Sequence, residues 1–230
     1  MTLTHLGASV QRTYGAYERL SSLSERKPDD LFYAWTTLPT MHGEFDVGVV
    51  KDGEKEHLAI VKGSGFLETI PLVRVHSECL TSEVLGSLKC DCRSQLEEAL
   101  KRIQLEGQGI VIYLRQEGRG IGLGDKLRAY RLQEHGADTV DANRLLGLED
   151  DLRTYEIAGK ILRQLGARKV RLMTNNPLKV SGLIEEGIEV VQREEHVVGI
   201  RPENAGYLVT KRDRMGHLLA ACDTQDSKVG

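Results

Sequence analysis

The apolar pattern of this chain changes character near residue 94, and that change limits what it can fold into. Before it come three strand-like runs, Phe45 to Val50, His57 to Lys62 and Ile70 to Val75. Turn material separates them, at Lys51-Asp52-Gly53-Glu54 and at Gly63-Ser64-Gly65. Beyond it the spacing predicts alternation. Helices are expected over 94–106, 121–135, 152–165 and 177–186, strands over 109–114, 169–173 and 189–192, and a last helix over about 211–221. The fold class expected is α/β (α+β). One domain would have an antiparallel β-rich N-terminal part, followed by helices and strands around a mixed sheet. Residues 1–35 are polar, rich in Ser, Arg and Glu, and only weakly periodic; they read as an N-terminal extension, helical or partly disordered. The folded domain is expected over 36–221, with 222–230 as a tail.

Composition excludes several classes. At 230 residues the chain holds one large domain or two small ones. A net charge of −3 leaves no global basic footprint, so no broad nucleic-acid surface is expected. No apolar run approaches the length of a membrane span. The start, Met1-Thr2-Leu3-Thr4-His5, lacks the basic and apolar regions of a signal peptide. Cytoplasm is the expected compartment.

The pattern change coincides with a cluster of thiols. Cys79, Cys90 and Cys92 are three of only four cysteines. Three thiolates with no fourth at sensible spacing match a metal site that keeps one position open, as catalytic zinc does and structural zinc does not. A disulfide across Cys90-Asp91-Cys92 would close a very tight loop, and nothing suggests an oxidising compartment. Cys222 lies far off in sequence and is expected to take no part. His76-Ser77-Glu78 has the H-x-E form of zinc deaminases, but Cys79 directly follows the Glu and the later pair is C-x-C, so that reading is weak.

Three junctions look suited to an anion. Arg115-Gln116-Glu117-Gly118-Arg119-Gly120-Ile121-Gly122 follows a predicted strand, and its alternating glycines let backbone N–H groups approach a ligand. It matches neither a Walker nor a dinucleotide loop. In Thr174-Asn175-Asn176-Pro177-Leu178-Lys179, Asn176 is a good N-cap and Pro177 suits the first helical position, with Thr174 and Lys179 flanking the helix start. Asp151 is expected to cap the helix over 152–165. That would place Arg153 in its first turn, where its charge opposes the helix dipole unless it serves an outside anion.

With these residues assembled, the chain closely resembles the GTP cyclohydrolase II family, which opens riboflavin synthesis. The segments that carry the resemblance are Arg-Val-His-Ser-Glu-Cys-Leu-Thr (74–81), Cys-Asp-Cys (90–92), Arg-Gln-Glu-Gly-Arg-Gly-Ile-Gly-Leu (115–123) and Lys-Leu-Arg-Ala-Tyr (126–130). Others are Asp-Thr-Val-Asp-Ala-Asn (138–143), Asp-Leu-Arg (151–153), Leu-Met-Thr-Asn-Asn-Pro (172–177) and Arg-Met-Gly-His-Leu-Leu (214–219). The resemblance makes 36–221 the catalytic domain. It implies zinc on Cys79, Cys90 and Cys92, and GTP on Arg74, Val75, His76, Ser77, Glu78, Gln95, Glu117, Gly118, Arg119, Thr139, Thr174 and Lys179. Tyr130 would assist at the purine, with Asp151 as proton acceptor and Arg153 as nucleophile at the triphosphate. Magnesium on the triphosphate and a homodimer are implied too.

The expected reaction converts GTP to 2,5-diamino-6-(5-phosphoribosylamino)pyrimidin-4(3H)-one, formate and pyrophosphate. The alternatives are an enzyme that stops at the formamidopyrimidine, and a regulator that binds GTP without turnover. Arg93, Asp125 and Ala137 depart from the family pattern, and none stands at an expected ligand or catalytic position. Three thiolates leave a zinc-bound water less acidic than three imidazoles would, so Tyr130, His76 or Glu78 is expected to supply acid–base help. Arg153 admits two roles. It is a nucleophile if Asp151 deprotonates it, or a stabiliser of charge while water attacks.

Overall fold

The computed structural model describes residues 31–219. Most of the expected extension, the tail and Cys222 lie outside these residues. One seven-stranded mixed sheet organises the chain. Its strands are β1 (Ala34–Thr40), β2 (Gly43–Asp52), β3 (Lys55–Lys62), β4 (Leu72–Ser77), β5 (Gly109–Leu114), β6 (Lys169–Met173) and β7 (Glu189–Glu194), in the order β1-β2-β3-β5-β4-β6-β7. The β1, β2 and β3 strands form an antiparallel meander, and β3 runs antiparallel to β5. From β5 through β4 and β6 to β7 the pairing is parallel. This is the expected α/β class with a mixed sheet.

Sequence accounts for the split. In β3 burial alternates along the strand, as it does when one face is covered. The β5 sequence Gly-Ile-Val-Ile-Tyr-Leu is buried almost throughout, as a central strand covered on both faces must be.

Helices α1 (Leu80–Glu83) and α2 (Cys92–Glu106) follow β4. Between β5 and β6 come α3 (Leu123–Gln133), α4 (Thr139–Leu145) and α5 (Glu156–Gln164). Then α6 (Pro177–Glu185) joins β6 to β7, and α7 (Ala205–Met215) comes last. Strand β4 is the pivot. The chain leaves it through α2 to reach β5 on one side, then returns through α5 to β6 on the other. Right-handed crossovers in opposite directions place their helices on opposite faces. One face carries α2, whose Ala99 and Ile103 pack on Leu72, Val111 and Met173. The other carries α5 and α6, whose Ile157, Ile161, Leu162 and Leu183 pack on Val73, Val75, Ile110 and Ile112. A crevice opens beyond the carboxyl ends of the strands at such a switch point.

Four expectations need correction. The helix expected from Leu152 starts at Glu156, with Tyr155 at its N-cap position. Residues 151–154 are held outside it: Leu152 N–H donates to Arg119 O, Thr154 O accepts from Gln116, and Asp151 accepts from Arg153 rather than capping. Arg153 is therefore not in a helical turn and opposes no helix dipole. The last helix lies earlier than expected, because Gly216 stops it in a left-handed conformation at φ 64°. Strand β1 was not expected; it is an edge strand, where Pro39 is tolerated. Helix α4 was also not expected, although Asp138 caps it by accepting from Val140 N–H and Asp141 N–H. No helix among the described residues is long and apolar enough to cross a membrane.

Candidate active site

A cleft of about 1020 Å³, counted out to its open mouth, lies at the carboxyl ends of β4, β5 and β6. Three loops leaving those strands build most of its wall.

The first loop carries the thiols. Cys79 follows β4, Cys90 precedes α2, and Cys92 is the first residue of α2. Their sulfurs lie within 4.8 Å of one another, with Cys79 and Cys90 3.6 Å apart. Zinc–sulfur bonds of about 2.3 Å in a tetrahedron would put sulfurs about 3.8 Å apart, so the three fit such an ion. Lys126 of α3 donates to Cys79 Sγ at 3.1 Å and to Glu117 Oε1 at 2.7 Å. The Cys90 and Cys92 thiols, and then Lys126, hold Cys79 far below an ordinary thiol, against the effect of burial. Asp91, between the two later thiols, accepts from Lys211 Nζ of α7 at 2.9 Å and from Gln95 Nε2 at 2.5 Å. The network continues, as Arg74 donates to Gln95 Oε1 at 2.5 Å and to Met173 O at 2.8 Å.

The second loop runs from Arg115 to Gly122. Arg119 at φ 62° is the sole non-glycine with positive φ among the described residues. A non-glycine there is uncommon and marks a constrained backbone. Gly120 follows at φ 96°, and a Cβ on it would meet Leu152 Cβ at 2.9 Å, so this loop and the Asp151–Arg153 loop close on each other. Both Glu117 oxygens are engaged: Oε2 accepts from Leu80 N–H, and Oε1 from Gly118 N–H and Lys126. Arg115 donates to Glu78 at 2.8 Å.

Basic side chains crowd the rest of the lining. Arg153 forks onto Asp151, with Nε to Oδ1 at 2.8 Å and Nη2 to Oδ2 at 2.5 Å. Burial alone would lower the Arg153 pKa, but Asp151 outweighs it and raises it further. Burial likewise favours a protonated Asp151, and Arg153 overrides it, keeping a carboxylate. Lys179 of α6 is buried and donates to Val75 O at 2.7 Å. Its pKa is driven well below a normal lysine by burial, then by Arg74, Arg153 and Lys211. Burial pulls Arg74 down to about 10. His217, beyond α7, is pushed down to about 3 by burial, then by Lys211, Arg153, Lys179 and Arg119. Like charges crowded this way favour an anion. Several cleft-lining side chains also bury a polar atom that has no partner: Arg74 Nε, His76 Nδ1, Ser77 Oγ, Gln116 Oε1 and Asn176 Nδ2. Buried polar groups are nearly always paired, and a polar ligand or ordered water in the cleft would satisfy these.

Most expected residues meet in this cleft. Cys79, Cys90, Cys92, Tyr130, Arg153, Arg74, His76, Ser77, Glu78, Gln95, Glu117, Gly118, Arg119, Thr174 and Lys179 all line it. Asp151 reaches it through Arg153. The Val75 side chain packs in the core on the far face of β4, so only its backbone faces the site. Thr139 opens α4, and its side chain lies outside what is described. His76 donates to or accepts from Glu83 at 2.7 Å and is held neutral by burial, then by Arg74 and Lys179. Burial keeps Tyr130 a neutral phenol. Asn176 caps α6 by accepting from Leu178 N–H, as expected. Arg93, Asp125 and Ala137 do not line the cleft.

Sequence reasoning missed Lys126, Tyr207, Lys211 and His217. Lys126 had a readable signal, since it stands four residues before Tyr130 and shares its helix face. Nothing local marked Tyr207 or Lys211, because α7 was placed too late in the chain.

Residues 33–195 match the sequence model of the GTP cyclohydrolase II family. A GTP cyclohydrolase-2 of Acinetobacter baumannii is 53% identical over 196 residues, covering 84% of this chain and 98% of that one. One from Teredinibacter turnerae is 50% identical over 184 residues, covering 79% and 92%. The riboflavin biosynthesis protein RibBA of Bacillus cytotoxicus is 51% identical over 185 residues, covering 80% of this chain and 47% of that protein.

Proposed function

The chain belongs to the GTP cyclohydrolase II family, hydrolases of riboflavin biosynthesis. From that premise we propose that it converts GTP to 2,5-diamino-6-(5-phosphoribosylamino)pyrimidin-4(3H)-one, formate and pyrophosphate. The observation that carries this is one cleft that holds three convergent thiols and, joined to them through Asp91, a crowd of buried basic side chains. A purine nucleoside triphosphate has a part for each, an electrophilic base and a polyanion.

Cys79, Cys90 and Cys92 would hold zinc, with Lys126 steadying the Cys79 thiolate. Bound zinc supplies Lewis acidity that makes water nucleophilic near neutral pH. Tyr130, a neutral phenol, can donate a hydrogen bond to the purine. Arg74, Arg119, Lys179 and Lys211 would neutralise the triphosphate, and magnesium would arrive with it, as it commonly does on substrate phosphates. Ligating cysteines must stay reduced, which agrees with the cytoplasm. A homodimer is retained from the family resemblance.

At the α-phosphorus the ion pair favours one of the two roles for Arg153. A guanidinium gripped by a carboxylate is harder to deprotonate, and Asp151 below its ordinary pKa is a poor proton acceptor. Arg153 therefore stabilises the charge that develops as water attacks, and Asp151 orients its fork.

The test is to incubate metal-replete protein with GTP and magnesium and follow formate and pyrophosphate together. Release of both supports the reading. A formamidopyrimidine that accumulates without formate points to the truncated reaction, and binding without either product to a regulator.

A further inference from the structure

The start of α6 holds a donor that the fold leaves unused. The turn before the helix is firmly tied. Asn176 N–H donates to Thr174 Oγ1 at 3.0 Å, and the Asn175 side chain accepts from His196 N–H at 3.0 Å and donates to His196 O at 2.8 Å. Asn176 Oδ1 accepts from Leu178 N–H at 2.9 Å. That bond settles which end of the amide is which, because a turned amide would set its NH2 against an N–H. Asn176 Nδ2 is left as a pure donor. It is buried without a partner, on a residue only 3% exposed that lines the cleft. The backbone has little else to offer there. Pro177 has no N–H, that of Leu178 goes to the Asn176 side chain, and that of Lys179 goes to Asn176 O at 3.2 Å.

We propose that Asn176 is a substrate-binding residue, whose Nδ2 donates to an oxygen of the phosphate chain while its Oδ1 caps α6. This rests on the GTP reading above. The surroundings select an anion as the acceptor. The N-terminus of a nine-residue helix attracts negative charge. Lys179 stands one turn in, and Arg74, Arg153 and Lys211 lie close enough to act on it. The amide adds what these basic groups lack. It is a neutral donor whose direction is fixed by the cap at its other end, so it places a phosphate oxygen that the basic groups only attract. One planar side chain thus ties the phosphate chain to the start of α6.

Two substitutions separate capping from binding. Asn176→Asp keeps a good N-cap but replaces the donor with an acceptor, and Asn176→Ala removes cap and donor without adding charge. Calorimetry with magnesium and inorganic tripolyphosphate should show binding about tenfold weaker in Asn176→Ala, the scale of one hydrogen bond to a charged group, and about 10²-fold weaker in Asn176→Asp. KM for GTP should rise by the same factors with kcat within about threefold of wild type, because the contact is made before and during the reaction alike. Thermal melts should fall for Asn176→Ala alone, and metal content should hold in both. Wild-type affinity for tripolyphosphate in Asn176→Ala would overturn the proposal and leave Asn176 a cap. So would weakening in Asn176→Asp alone, which reports only the added charge. If the variants weaken tripolyphosphate as expected but the wild-type protein does not turn over GTP, the contact stands and the hydrolysis fails. A wild-type protein that binds no tripolyphosphate sinks the proposal whatever its products.

Discussion

The thiol end and the basic end of the cleft meet at Asp91, yet they are balanced in opposite ways. At the thiol end Cys79 faces Lys126, Lys126 faces Glu117, and Glu117 accepts two backbone N–H groups. At the basic end Arg153 and Lys211 pair with Asp151 and Asp91, while Arg74 and Lys179 reach only neutral acceptors. The first end is internally paired. The second has fewer carboxylates than basic groups, and burial and mutual repulsion push Lys179 and Arg74 toward neutrality. An anion bound there, as proposed, would favour their charged forms and recover part of that cost.

The largest expected effect comes from breaking the balanced end. Cys79→Ser or Cys90→Ser should drop bound metal from about one equivalent to almost none and abolish formate release. Some pyrophosphate release should survive, because the phosphate end uses other residues. Parallel metal analysis and product assays read this out. Loss of pyrophosphate in step with formate would mean the ends are not separable.

Next in size is the other end. Arg153→Ala should cut pyrophosphate release about 10²–10³-fold, as removal of a preorganised charge does. It should also cost about 1–3 kcal/mol in denaturant unfolding, because the partly buried Asp151 loses its partner. That reverses what the sequence implies, where a cation opposing a helix dipole is unfavourable and its removal leaves folding intact or slightly improved. Arg153→Lys, with charge but no fork, should retain intermediate activity. A dead Lys variant would restore the nucleophile reading.

The smallest effect is on pH dependence. His196 and His217 are both pushed down to about 3, mainly by burial, so they are uncharged in the folded state. Unfolded histidines take up protons below about 6.5, so stability should decline as pH falls from there toward 3. His217→Gln should make that decline shallower in a pH series of thermal melts. Saturating triphosphate should do so too, because an anion among Lys211, Arg153, Lys179 and Arg119 favours His217 charged. An unaltered slope in both would place His217 outside the anion's reach.

Much of this was legible in sequence, for identifiable reasons. Strands β2 to β7 and helices α2, α3 and α6 stand close to their expected limits, since each has clear periodicity and ends at Gly, Pro or a cap. The thiol triad was legible because few structures other than a metal site use that spacing. Long-range partners were not. The grip of Lys211 on Asp91 spans 120 positions, and the hydrogen bond from Tyr113 to Glu83 spans 30. The loop at Asp151 to Arg153 misled for the same reason. Local propensity favoured a helix, but Arg119 O and Gln116, on a loop far away in sequence, hold its backbone out of one.

The contact between Lys211 and Asp91 also bears on synthesis. Chains emerge from the N-terminus and domains fold as units. The three cysteines and their strand leave the ribosome long before α7, so the thiols are exposed while Asp91 still lacks its lysine. The wall that carries Tyr207, Lys211 and His217 arrives last. On the proposed function, a nascent chain would meet its metal before α7 completes the wall proposed to hold the phosphates.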